Sequence, residues 1–137
     1  MRKVMGGVLI QETDSDLQER AEMEVVTERK PSEAEWGELL FAWKVAKHVR
    51  SNAIVLSRDL GTIGIGAGQM SRVDAVRIAI EKATEGQPGK LEGAAMASDG
   101  FFPFPDGPEA AHAYLQSPRR VDAAQQGTLK SMTWSCL

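Results

Sequence analysis

Residues 53–72, Ala-Ile-Val-Leu-Ser-Arg-Asp-Leu-Gly-Thr-Ile-Gly-Ile-Gly-Ala-Gly-Gln-Met-Ser-Arg, constrain this chain more than any other stretch. An aliphatic run, a polar turn at residues 58–61 and a second run, Thr62-Ile63-Gly64-Ile65, predict the two strands of a hairpin. The second strand opens into Gly66-Ala67-Gly68-Gln69-Met70-Ser71-Arg72, where an amphipathic helical pattern begins. A strand, glycine loop and helix start can aim backbone N–H groups and the positive end of a helix dipole at one spot, which suits a phosphate or carboxylate. Asn52, Gln69, Ser71 and Arg72 bracket this loop with directed hydrogen-bonding groups, and a guanidinium grips phosphate as a fork. The same glycines also serve as turns or close-packing points, and both readings stand at this level. Gly64, Gly66 and Gly68 lack the G-x-G-x-x-G spacing and no Gly-Lys-Ser/Thr follows, so neither dinucleotide nor Walker chemistry is supported.

At 137 residues, 42% hydrophobic and 26% charged, the chain holds the material of one ordinary core. A net charge of -3 and a pI near 5.4 argue against a general nucleic-acid binder. No apolar run approaches the roughly 18 residues of a membrane helix. The single Cys136 permits no internal disulfide, and no basic, apolar and small leader pattern opens the sequence, so a cytoplasmic location is expected. His48, His112 and Cys136 stand at no zinc-ligand spacing, and no G-x-S-x-G nucleophile elbow is present.

In chain order, residues 5–11 predict a buried strand whose glycines, Gly6 and Gly7, imply close backbone approach. Residues 12–28 are polar and acidic, with Val25-Val26 as a further strand fragment. Pro31 and Ser32-Glu33-Ala34-Glu35 predict a capped helix start, and Trp36, Leu39, Leu40, Trp43 and Ala46 a core-facing stripe running to about His48. Beyond the glycine loop, Val73, Val76, Ile80 and Ala83 mark the buried face of a second helix, which Gly86, Pro88 and Gly89 stop. Residues 94–98 are a small-residue strand candidate. Residues 99–107 form a stiff aromatic turn with three phenylalanines, which serves either as a plug over the core or as a wall for a flat heterocycle, with Asp99 and Asp106 as polar anchors. After a helical start at residues 109–115, the tail shows neither strand alternation nor a helical face.

Residues 4–107 resemble the transformylase part of the bifunctional AICAR transformylase/IMP cyclohydrolase family. The resemblance rests on Gly6-Gly7-Val8-Leu9-Ile10-Gln11, Trp43-Lys44-Val45-Ala46-Lys47 and Ser51-Asn52-Ala53-Ile54-Val55. It continues through residues 64–74 and through Ala97-Ser98-Asp99-Gly100-Phe101-Phe102-Pro103-Phe104. It implies a cytidine-deaminase-like α/β layered fold and transfer of a formyl group from 10-formyltetrahydrofolate to AICAR in purine (IMP) biosynthesis. It also implies a homodimer with the active site built across the interface. By the same resemblance, Asn52, Arg72 and Phe101 are nucleotide-site positions, Val73 and Asp106 are folate-site positions, and a potassium site lies near Ser51 and Asp99. Formyl transfer needs a poor amine held against the formyl carbon while a proton leaves. In this family an upstream Lys-His pair moves that proton, and the chain carries no copy of that motif. Lys47-His48 lies in another segment, so no catalytic residue is assigned.

Residues 1–115 are therefore expected to be a partial transformylase domain and residues 116–137 a divergent tail. One set of GC-rich codons for Pro118-Arg119-Arg120-Val121-Asp122-Ala123, read one base later, encodes Gly-Gly-Ser-Met-Arg, close to the family's loop at this point. The expectation is a frameshifted, poorly packed end. The alternative reading of the whole chain is an inactive module that binds a nucleotide or forms a dimer.

Overall fold

The computed structural model describes residues 1–12, 20–25, 30–100 and 130–132. Helix α1, Glu33–Ala46, begins at the expected cap. The Ser32 hydroxyl accepts the Glu35 N–H at 3.4 Å, and the Glu35 carboxylate accepts the Ser32 N–H at 2.7 Å. This reciprocal pair satisfies two of the donors that a helix start leaves open. The buried residues are Trp36, Leu39, Ala42 and Ala46, while Leu40 and Trp43 are half-buried. The stripe runs through Ala42 because α1 lies close on the sheet, where Ala42 and Ala46 pack with Val55 and Ala97.

Strands β3, Ile54–Arg58, and β4, Gly61–Gly66, form the expected antiparallel hairpin. Its two turn residues, Asp59 and Leu60, have φ of 56° and 53°. Two successive positive φ values give the turn whose twist matches that of the flanking strands. A leucine in this region is strained, and the turn is held from outside: Glu38 of α1 accepts the Leu60 N–H at 2.5 Å and the Ser57 hydroxyl at 2.9 Å. Glu38→Ala is expected to lower the unfolding free energy by about 1–2 kcal/mol. A fall in the urea midpoint with an unchanged slope is the corresponding reading.

Helix α2, Arg72–Gly86, crosses from β4 to β5, Ala95–Ser98, which pairs antiparallel with the other edge of β3. In the four-stranded sheet the order is β4-β3-β5-β6, with β6 at Lys130–Met132. Strand residues alternate between the two faces. Ile54, Leu56 and Met96 pack with Val76 and Ile80 of α2, while Val55 and Ala97 pack with α1. The helices thus cover opposite faces, within the expected α/β class. Val76, Ile80 and Ala83 are buried as expected, together with Ala75 and Ala79, whereas Val73 is half-buried.

Helix α2 lies close on β4. A Cβ on Gly64 would run into the Ala79 carbonyl oxygen, and one on Gly66 into that of Ala75. A pairing shift between Leu56 and Ser57 sets Leu56 opposite Gly64 and Ser57 opposite Thr62, leaving Ile63 as an extra residue. Such a bulge re-aims side chains locally, and here Ile63 joins the α2-side core. Of the glycines in the central motif, Gly64 and Gly66 are packing points, and Gly68, with φ of 66°, is the turn.

Three expectations are corrected. Residues 5–11 do not form a buried strand: among the described residues β2, Gly7–Leu9, pairs with β1, Arg2–Val4, and both strands are exposed. Gly6 and Gly7 meet nothing within 4 Å of a built Cβ, and Gly6 has φ of 84°, so Gly6 serves the hairpin turn and neither residue a close approach. Of the fragment expected at Val25-Val26, Val25 lies outside any strand and Val26 outside the described residues, and the nearest described element is a single 3-10 turn at Arg20–Glu22. The patternless tail contributes β6, Lys130–Met132, parallel to β5. An open sheet edge presents a row of unpaired N–H and C=O groups to any extended backbone, whatever its side-chain pattern. The aromatic turn from residue 101, the helical start at 109–115 and the rest of the tail lie outside the described residues.

Candidate functional site

The polar residues of the central motif gather where β3 begins, β5 ends and α2 begins. Residues 50–52 are laced to the glycine loop by backbone bonds, from Gly68 N–H to the Arg50 carbonyl at 2.7 Å and from Asn52 N–H to the Gln69 carbonyl at 3.3 Å. The Asn52 side chain reinforces this, its Nδ2 donating to the Gln69 carbonyl at 2.9 Å, while Gln69 Nε2 donates to the Ala67 carbonyl at 2.8 Å. Ser71 is the N-cap of α2, and its hydroxyl accepts the Asp74 N–H at 3.2 Å. One donor of the helix start is therefore taken by the chain itself, with an aspartate in the first turn.

Arg72 does not reach out over the loop; its guanidinium lies against the end of the sheet. Nη2 donates to Asn52 Oδ1 at 2.9 Å, and Nη1 donates to Ser98 Oγ at 2.8 Å and Asp99 Oδ1 at 2.5 Å. The Arg72 and Asp99 side chains are only 16% and 15% exposed. Asp99 Oδ1 also accepts the Ala53 N–H at 2.8 Å, which ties the start of β3 to the end of β5. Burial pushes the Asp99 carboxyl up, but hydrogen bonds from Ser51, Arg72 and the Ala53 N–H, with the Arg72 charge beside it, hold it below its ordinary value. At neutral pH it is a carboxylate and a weak proton acceptor.

Asn52, Arg72, Ser51 and Asp99 thus share one cluster, and Val73 stands half-buried in the first turn of α2. Phe101 and Asp106 lie outside the described residues. Ser98 was missed by sequence reasoning. A serine ending a buried strand directly before an aspartate was the available signal, and its hydroxyl also donates to the Gly100 carbonyl at 2.8 Å. Asp99 Oδ1, beside Ser51, already accepts two N–H donors, from Ala53 and from Arg72. Among the described residues, no three His, Cys, Asp or Glu side chains gather as metal ligands. No described helix is long and apolar enough to cross a membrane.

Fold and cluster together define an α/β domain with an arginine and a carboxylate paired at the strand ends. A model of the AICARFT/IMPCHase bienzyme family matches residues 1–82. The chain is 56% identical over 117 residues to the bifunctional purine biosynthesis protein PurH of Magnetococcus marinus, covering 81% of this chain and 22% of the relative. Against the PurH of Synechococcus elongatus it is 52% identical over 113 residues, and against that of Anoxybacillus flavithermus 55% over 108 residues. These matches cover 82% and 79% of this chain, and 21% and 20% of those relatives. The chain belongs to the AICARFT/IMPCHase bienzyme family and spans about a fifth of the length of these relatives.

Proposed function

We propose that this chain is a portion of the transformylase part of such a bienzyme, with the cytidine-deaminase-like layered fold, and that it keeps one wall of the site for AICAR. The observation that carries the reading is the convergence of Asn52, Arg72 and Asp99, drawn from three separate segments, on one largely buried point. A structural ion pair alone does not call for the additional Asn52 and Ser98 bonds on the same guanidinium, whereas a site that must present an arginine in one orientation does. On this reading Asn52, Arg72 and Phe101 face the nucleotide, and Val73 and Asp106 face 10-formyltetrahydrofolate. In the whole protein, formyl transfer would depend on holding the amine against the formyl carbon.

For this chain alone, the reading is binding without turnover. Asp99 has lowered proton affinity and cannot readily take the proton that the amine must lose. A homodimer of this chain is part of the same proposal. The chain is expected to bind the AICAR nucleotide, to form no formylated product from 10-formyltetrahydrofolate, and to lose about 1.5–3 kcal/mol of binding free energy in Arg72→Ala. Calorimetric titration of both proteins with the nucleotide checks this. Unchanged affinity in the variant, or formyl transfer above background by the chain alone, overturns it.

A further inference from the structure

We propose that Arg50 sets the preference of this site for the phosphorylated nucleotide over its nucleoside, by supplying a net positive charge that the Arg72–Asp99 pair does not. This role rests on the reading of Asn52 and Arg72 as nucleotide-facing residues.

Two backbone donors of the glycine loop are spent within the chain: Gly68 N–H donates to the Arg50 carbonyl at 2.7 Å, and Gln69 N–H to the Asn52 carbonyl at 3.4 Å. The Ser71 hydroxyl is occupied as well, by the Asp74 N–H. Arg72 is paired with Asp99, so the two together present almost no net charge to an approaching dianion. An anion there gains hydrogen bonds but little Coulomb attraction. Arg50 differs on each count. It is exposed, and among the described residues its guanidinium has no hydrogen-bond or ion-pair partner. Its stem lies along the loop, with Cδ 3.7 Å and Cγ 4.0 Å from a Cβ built on Gly68. The apolar stem thus rests on the loop while the charged head stays in water. Its backbone is fixed by the bond from Gly68, two residues before Asn52, so the cation starts from the same segment as a nucleotide-facing side chain. A guanidinium offers a fork to two phosphate oxygens, and the nucleoside carries no group of that charge. Arg50 therefore rewards the phosphate and is indifferent to the rest of the ligand.

The test is calorimetric titration of the full chain, Arg50→Ala and Arg50→Lys with the AICAR nucleotide and, separately, with its nucleoside. Arg50→Ala should bind the nucleotide about three- to tenfold more weakly, between the worth of an exposed ion pair and that of a charge-assisted hydrogen bond. It should bind the nucleoside as the wild type does. Arg50→Lys keeps the charge and should keep most of the preference. The loss in Arg50→Ala should shrink in about 1 M salt, where the screening length falls to about 3 Å. Because Arg50 is exposed and its bond to Gly68 is made by the backbone, the urea midpoints of all three proteins should coincide. Equal losses for nucleotide and nucleoside, or a loss that salt does not reduce, would mark a structural role and overturn the proposal. Nucleotide affinity unchanged in Arg50→Ala overturns it too, and leaves the proposed function standing. Failure of the wild-type chain to bind the nucleotide overturns both.

Discussion

Gly64→Ala and Gly66→Ala are each expected to cost about 3 kcal/mol of stability, and the double variant is expected not to fold. Neither glycine has positive φ, so the cost is not backbone strain. The added methyl at Gly64 meets the Ala79 carbonyl, with the Ala83 methyl at 3.0 Å, and the methyl at Gly66 meets the Ala75 carbonyl. These obstacles are helix backbone, which cannot rotate aside as a side chain would. Helix α2 would have to move outward as a body, loosening Ala75, Val76, Ala79, Ile80 and Ala83 from the sheet together. Overpacking typically costs about 1–3 kcal/mol, and a shift shared by a whole helix belongs at the upper end. Against the roughly 5–15 kcal/mol that holds an ordinary domain, two such changes are ruinous. Gly37→Ala is the control. It sits in α1 with nothing within 4 Å of a built Cβ, and there alanine should stabilise by about 0.5–1 kcal/mol. Urea unfolding of the three single variants gives the comparison, and a wild-type midpoint for Gly64→Ala refutes the packing role.

Asp99→Ala is expected to destabilise by about 2–4 kcal/mol, more than Arg72→Ala and Asp99→Ala together when both partners are removed in one protein. Its carboxylate both balances a guanidinium that is 16% exposed and accepts the N–H that opens β3. Removing one partner of a largely buried pair leaves the other charge uncompensated, which is costlier than removing both. The double variant Asp99→Ala with Arg72→Ala should therefore recover part of the loss, and a double-mutant cycle by urea denaturation measures how much. A double variant less stable than Asp99→Ala alone would show that the residual charge is not the source of the loss. The sign of the pH dependence follows from the lowered Asp99 value. A carboxyl whose folded-state pKa is depressed contributes stability that is fully present above its ordinary, unfolded-chain value. That stability is lost as the pH falls through the lower folded-state value. Wild type should thus lose stability below about pH 4, and Asp99→Asn should flatten that acid limb. Identical acid limbs in both proteins would remove Asp99 from the account.

What the sequence determined by itself about this protein is what neighbouring residues decide. Ser32 and Glu35 specify a helix start because the cap closes within four residues. The aliphatic run before Arg58, the two-residue turn and the run after Gly61 specify a hairpin because their pairing is local. The small-residue strand at β5 was legible from its composition, and the buried stripe of α2 from its period of 3.6 residues. The motifs around Asn52 and Arg72 were legible as a family resemblance, to which the match over residues 1–82 corresponds. Only the tertiary structure decided how the glycines divide, with Gly64 and Gly66 serving helix contact and Gly68 the turn, because a close-packing glycine and a ligand-cradling glycine look alike until the helix is in place. It alone turned Arg72 inward, since Ser98 and Asp99, 26 and 27 residues away, are brought to the guanidinium by the crossover of α2 and the antiparallel pairing of β5. The exposure of β1 and β2, and the parallel seat of β6 on β5, were likewise invisible, because burial and edge pairing depend on which surface lies alongside a strand and not on the strand's own residues.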